Sequence, residues 1–128
     1  MTTKILIADD EPNILISLEF LMKREGYEVH LARDGQEALD ALRREHPRLV
    51  LLDVMMPKKT GFEVCQEVRN DDAIRSTLIL MLTAKGRETD VVKGLALGAD
   101  AYMTKPFSTR ELVQKVRSML DAAPQGEA

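Results

Sequence analysis

Leu49-Val50-Leu51-Leu52-Asp53-Val54-Met55-Met56-Pro57 runs four aliphatic residues together and then stops on a carboxylate. A strand with one wet face alternates apolar and polar residues; a short unbroken apolar run suits a strand buried on both faces. Comparable runs recur at Ile5–Ala8, Leu78–Leu82 and Ala101–Thr104. Tyr27, Val29 and Leu31 instead alternate with polar neighbours, as a half-exposed edge strand would. Between these runs the period changes to that of a helix. Ile14, Leu18, Leu21 and Met22 form one stripe, Ala38, Leu39 and Leu42 a second, and Leu112, Val113, Val116, Met119 and Leu120 the last.

Helix boundaries are marked as well. Pro12 suits a first helical turn, where its missing N–H costs nothing. Thr60-x-x-Glu63 and Ser108-x-x-Glu111 match the capping box, and Asp34-x-x-Glu37 is a looser version. Gly26 and Gly98 fit helix C-termini that need a left-handed backbone. The order therefore reads βαβαβαβαβα. Such alternation demands a parallel sheet with helices on both faces, and right-handed crossovers make it doubly wound.

A length of 128 residues suits one domain, and 45% hydrophobic residues are enough for one core. The net charge of −3, with no dense Lys/Arg run, argues against direct nucleic-acid binding. Arg43-Arg44, at the end of a helix, reads as solvated cations at its negative pole. The single cysteine, Cys65, excludes an internal disulfide and reads as a core thiol. Residues 1–7 lack the long apolar stretch of a leader, and Leu78–Leu82 is far too short to span a bilayer. A cytoplasmic location away from membranes is the expectation. Residues 123–128, with Pro124 and Gly126, read as a flexible C-terminal tail or the start of a linker.

The strand ends carry the chemistry. The first ends in Asp9-Asp10, the third in Asp53, the fourth in Thr83, and the fifth in Lys105-Pro106. Open parallel sheets bind ligands beyond the carboxyl ends of their strands, near the reversal of winding, so these distant residues should converge. Any one of the carboxylates, Asp10 or Asp34 for example, could merely cap a helix or form a turn. As a set they are harder to dismiss, because three crowded carboxylates cannot all ionise without compensating cations. Lys105 supplies one charge. Oxygen ligands without His or Cys favour Mg²⁺ for the rest, and Mg²⁺ is usually completed by phosphate oxygens. A carboxylate in such a pocket can accept a phosphoryl group as an acyl phosphate.

Asp9-Asp10-Glu11-Pro12, Leu52-Asp53-Val54-Met55-Met56-Pro57, Thr60-Gly61, Leu82-Thr83-Ala84 and Lys105-Pro106-Phe107 together resemble the motif set of response-regulator receiver domains. The likeness runs from Lys4 to about Leu120 and implies one receiver domain over residues 1–122. It brings with it the flavodoxin-like (βα)5 fold with a five-stranded parallel sheet in the order 2-1-3-4-5. Alternation alone leaves that order open, and receiver proteins are themselves a stock example of it. By resemblance, Asp53 is the phosphorylation site. Asp10, Asp53 and the Met55 carbonyl would bind Mg²⁺, with Asp9 acting through a water. Thr83, Ala84 and Lys105 would bind the phosphoryl group, and Lys105-Pro106 would be a cis peptide bond.

The family also implies partners and a readout. A sensor histidine kinase, a phosphotransfer protein or a small acyl phosphate would be the donor, and a downstream protein partner would read the result. Thr83 and Tyr102 would form the switch, with Lys105 and Tyr102 on opposite faces of the last strand because they are three residues apart. The output surface would comprise the helix from about Arg87, the strand Ala101–Thr104 and the helix from Ser108. Met55, two residues after Asp53, lacks a side chain that holds water, and Lys85 stands two after Thr83; both are expected to lengthen the phosphoryl lifetime. His30 and His46 read as surface residues. The expected protein is a phosphorylation-activated switch and not a turnover enzyme, either a monomer or a phosphorylation-dependent dimer. Ala101, where many DNA-binding members carry a second acid, weakens the dimer reading.

Three other classes fit less well. A flavin-binding relative would need a phosphate-cradling loop where Asp9-Asp10-Glu11 stands. An aspartate-nucleophile phosphatase separates its two aspartates by one residue; here they are adjacent. A docking-only receiver would lack a site residue. The receiver segment of a longer DNA-binding regulator is the alternative reading that stays open.

Overall fold

The computed structural model describes residues 2–84 and 86–122. The readings of Lys85 and of the 123–128 tail lie outside the described residues. Ten elements alternate along the chain: β1 (Lys4–Ala8), α1 (Pro12–Arg24), β2 (Glu28–Ala32), α2 (Gly35–Glu45), β3 (Leu49–Asp53), α3 (Gly61–Arg69), β4 (Leu78–Ala84), α4 (Glu88–Ala96), β5 (Ala101–Lys105) and α5 (Thr109–Ala122). The five strands pair in parallel in the order β2-β1-β3-β4-β5. This is the flavodoxin-like doubly wound sheet. The apolar stretch Leu49–Leu52 lies at its centre.

Strand residues point alternately to the two sides of the sheet, and each side has its own core. Leu6, Val50, Leu52, Ile79 and Met81 face α2 and α3. Ile5, Ile7, Leu49, Leu51, Leu80 and Leu82 face α1 and α5. The unbroken aliphatic run is thus split between two cores. Cys65 is fully buried among the residues facing α2 and α3, as a core thiol.

The helices are not equally anchored. α1 buries Leu15, Leu18, Leu21 and Met22. At roughly 1.5–3 kcal/mol for each fully buried side chain, that face holds it firmly. α4 buries only Gly94, while Val92 and Leu95 are 68% and 43% exposed. Gly94 packs over Met81 of β4, and the Lys93 ammonium lies 4.6 Å above the Phe62 ring of α3, a small anchorage beside that of α1.

The helix starts follow their chemistry. Thr60 Oγ1 accepts from the Glu63 N–H and Glu63 Oε1 accepts from the Thr60 N–H, a complete capping box. Ser108 and Glu111 do the same for α5. Asp34 caps α2, but Glu37 reaches back to the Arg33 N–H, one residue short of a box. Asp10 caps nothing: Glu11 occupies the cap position of α1 without a side-chain bond, and its N–H donates to Asp9 Oδ1. A helix-capping role for Asp10, the alternative to a place in the acidic site, is thereby excluded. Gly26 and Gly98 adopt positive φ at helix ends. His46, with φ of 48°, takes that role for α2 and was not anticipated. Arg43 is not simply solvated, because it pairs with Asp71 at 3.1 Å and Glu67 at 3.6 Å.

Candidate functional site

Four strands end together. Register pairs Asp53 with Leu82, Thr83 with Thr104 and Ala84 with Lys105. Asp9 follows β1 directly, and its N–H donates to the Ala32 carbonyl. These backbone constraints bring Asp9, Asp10, Asp53, Met55, Thr83, Ala84 and Lys105 to one open cleft of about 280 Å³. All the site residues read from the sequence converge here except Lys85, which is outside the described residues, and Tyr102 with Pro106, which lie beyond the cleft. The Lys105-Pro106 peptide bond is cis.

The cleft is strongly polarised. Asp9 is fully buried and Asp53 is 7% exposed, whereas Asp10 is open to solvent. One oxygen from each of the three lies within 4.8 Å of the others. Lys105 Nζ donates to Asp9 Oδ2 at 2.7 Å and to Asp53 Oδ1 at 3.3 Å. Burial pushes the Asp53 carboxyl up to about 6, and the Asp9 charge adds to this; Lys105 opposes both without cancelling them. For Lys105 burial works in the acidic direction, but the hydrogen bond to Asp9 and the charge of Asp53 outweigh it and leave the ammonium raised.

One ammonium against three carboxylates leaves excess negative charge in a partly dry cleft. The donors are all carboxylate oxygens, which suits a hard divalent cation such as Mg²⁺. A second feature bears on the same place. Thr83 Oγ1 is buried and has no hydrogen-bond partner among the described residues. Such an orphan costs about 1–3 kcal/mol unless something arrives to bond it. Thr83 lines this cleft and also a narrow crevice, too tight for water, shared with Val91, Leu95 and Tyr102. Tyr102 is 44% exposed there, on the far side of β5 from Lys105.

Another cluster that could coordinate a metal, Glu28, His30 and Glu45, offers ligand atoms equally close together. It differs in charge: Lys4 at 3.3 Å and Arg44 at 3.0 Å already take the two oxygens of Glu45. Protein cations neutralise it, and no unmet demand for a metal remains.

Two residues at the cleft were not read from the sequence, Arg87 and Asp90. The first turn of α4 folds over the strand ends and brings them in. An Arg-x-x-Asp spacing on a helix is too common a pair to signal this.

A doubly wound sheet with an acidic, lysine-bridged cleft at the reversal of its winding defines a class of small α/β signalling proteins. This chain belongs to the response regulator receiver domain family, whose match spans residues 5–117. Members act as switches in two-component signalling, alongside histidine kinases and downstream partners. Several solved structures are similar. A chain assigned as a response regulator from Chloroflexus aurantiacus J-10-fl is 35% identical with a TM-score of 0.90, covering 94% of this chain and 99% of that one. The chemotaxis response regulator CheY4 of Vibrio cholerae is 33% identical with a TM-score of 0.87, covering 92% and 98%. The signal receiver domain of a signal transduction histidine kinase from Syntrophus aciditrophicus is 30% identical with a TM-score of 0.89, covering 99% and 96%. No helix among the described residues is long and apolar enough to cross a membrane.

Proposed function

We propose that this receiver domain takes a phosphoryl group on Asp53 and passes the event to a protein partner through the surface around Tyr102. The observation that carries this is the pairing, across one cleft, of a buried carboxylate at the end of the central strand with an ammonium and an unpartnered hydroxyl. The donor is a phosphohistidine of a sensor kinase or phosphotransfer protein, or a small acyl phosphate. An Asp53 oxygen attacks phosphorus in line; the new O–P bond forms as the bond to the imidazole nitrogen or acyl oxygen breaks, and the departing group keeps the electron pair. Lys105, Thr83 and Ala84 receive the phosphoryl oxygens, so positioning and charge do most of the work. Mg²⁺, when bound, would neutralise charge on those oxygens; Asp10, Asp53 and the Met55 carbonyl would hold it, with Asp9 in support. The domain is a switch whose only chemistry is its own phosphorylation and slow hydrolysis, and a cytoplasmic location would give it access to its kinase.

Incubation with acetyl phosphate and Mg²⁺ should add the mass of one phosphoryl group. EDTA should abolish the addition, and Asp10→Asn should slow it by more than tenfold, because a lost charged ligand removes most of a weak site's affinity. Undiminished labelling in EDTA would refute the metal assignment. With beryllofluoride, amide shifts should extend from the cleft to Tyr102 and α4; shifts confined to the cleft would place the output elsewhere.

The phosphoryl lifetime should be minutes or longer. Hydrolysis needs a water held in line with the Asp53–phosphorus bond, and Met55, 62% exposed at the cleft, offers no good donor or acceptor. Met55→Asn should shorten the lifetime by about tenfold, as a positioning effect. Decay of the native phosphoprotein within seconds, or an unchanged rate in the variant, would contradict this.

A further inference from the structure

The cleft has a cation that the strand ends do not supply. Arg87 lines it beside Asp53, Thr83 and Lys105, yet its guanidinium is turned to Asp90: Nε to Oδ2 at 3.0 Å and Nη2 to Oδ1 at 3.3 Å. The two partners differ in freedom. The Arg87 side chain is 52% exposed and can rotate; that of Asp90 is 12% exposed and cannot follow it out. Asp90 also borders the tight crevice where Thr83 and Tyr102 meet. One ion pair therefore stands between the acidic cleft and the switch crevice.

We propose that Arg87 is a phosphoryl-binding residue held in reserve by Asp90, and that phosphorylation makes it exchange one partner for the other. This rests on the reading of Asp53 as the phosphoacceptor. A phosphoryl group replaces a single carboxylate charge with about −2 and adds three strong acceptor oxygens. An arginine fork matches phosphate in a two-pronged geometry, and the phosphoryl group's charge of about −2 draws it more strongly than the single charge of Asp90. Asp90 tolerates the loss, because it lies in the first turn of α4, where the helix dipole already favours an anion.

The exchange has a consequence for α4. Arg87 occupies the cap position of that helix with no side-chain cap, and the bond to Asp90 three residues on is the only side-chain staple of its first turn among the described residues. When the guanidinium swings to the phosphoryl group, the staple opens. The first turn of α4 is then released as a unit, and Asp90 moves with it as one wall of the crevice beside Tyr102. Since α4 buries only Gly94, little packing resists that movement.

The test titrates the full chain and its variants with beryllofluoride in Mg²⁺, followed by amide signals and the Arg87 Nε–Hε signal. Arg87→Ala should weaken binding roughly tenfold, the size of one charge-assisted hydrogen bond, and Arg87→Lys should recover part of the loss. Asp90→Asn should tighten binding several-fold by releasing Arg87. The double variant should match Arg87→Ala, because Asp90 acts only through Arg87. The Arg87 Nε–Hε signal should shift on saturation. Native affinity in Arg87→Ala overturns the inference, as does a double variant that keeps the gain of Asp90→Asn, which would mean simple repulsion. Acetyl phosphate labelling of the unsubstituted chain separates the two levels. Labelling of Asp53 with an indifferent Arg87 sinks this inference alone, whereas absence of labelling sinks the phosphoacceptor reading and this with it.

Discussion

Asp53→Asn is expected to abolish phosphoryl labelling and, in EDTA at neutral pH, to make the protein more stable than the native chain. The first effect follows from removing the attacking oxygen. The second follows from what burial does to the carboxyl. Its folded value is about 6 against an ordinary 3.8, so the folded protein holds this proton more tightly than the unfolded chain does. Between about pH 4 and 6 the folded state therefore binds more protons, and stability falls as pH rises through that window. Above it the full cost of an ionised, buried Asp53 is present. An amide is neutral at every pH and avoids that cost. The gain should be about 2 kcal/mol at pH 7, somewhat less than the whole shift because Lys105 loses a partner. It should fade below about pH 4, where the native carboxyl is protonated in both states. Adding Mg²⁺ should narrow the gap by stabilising only the native chain. Thermal unfolding in EDTA across pH, with intact mass after acetyl phosphate, measures both effects. Equal labelling of the variant, or a variant less stable at neutral pH, would contradict the assignment.

The same electrostatics explain which parts of the site could be read from the sequence. A strand buried on both faces tolerates no charge along its length, so the residue that ends an apolar run is conspicuous. Asp9 and Asp53 are visible in this way, and Thr83 ends its run with a hydroxyl; the run Ala101–Thr104 before Lys105 is corrected from a doubly buried strand to a partly exposed edge strand. Parallel pairing then brings them together whatever the loops do. Short-range capping is equally visible, because a Thr or Ser and a Glu three residues on make their bonds within one turn. What stayed hidden depends on geometry between elements. Asp10 resembles a cap but is exposed at the cleft, since Asp9 has already bonded the Glu11 N–H. Arg87 and Asp90 reach the cleft only because α4 lies over the ends of β4 and β5. The weak hold of α4 is invisible too: Val92 and Leu95 look like core residues in sequence and face solvent in the fold. The strand order came from family likeness, because alternating elements are compatible with several windings.

Gly61→Ala is expected to damage fold and chemistry together, through a steric path that runs straight to Asp53, the proposed phosphoacceptor. Gly61 opens α3, and its N–H donates to the Val54 carbonyl at 2.8 Å. A Cβ at this position would collide with the Asp53 carbonyl oxygen and lie 3.0 Å from the Val54 Cα. Both obstacles are backbone, and backbone cannot swing aside as a flexible side chain can. Close-packed interiors answer such an intrusion by moving, at about 3 kcal/mol for a poorly relaxed site. Here the movable segment is the one that carries Asp53 and the Met55 carbonyl. Labelling by acetyl phosphate should therefore slow by at least about tenfold, as expected when a reacting group is displaced by a fraction of an ångström. Gly35→Ala separates the two effects. Its Cβ would meet the Lys59 carbonyl, against which Gly35 packs, and should cost similar stability while leaving the Asp53 backbone in place. Denaturant unfolding and labelling rates, measured on both variants under conditions where each remains folded, make the comparison. If Gly61→Ala labels at the native rate, or if both variants lose activity in proportion to stability alone, the close packing of α3 on Asp53 does not set the chemistry.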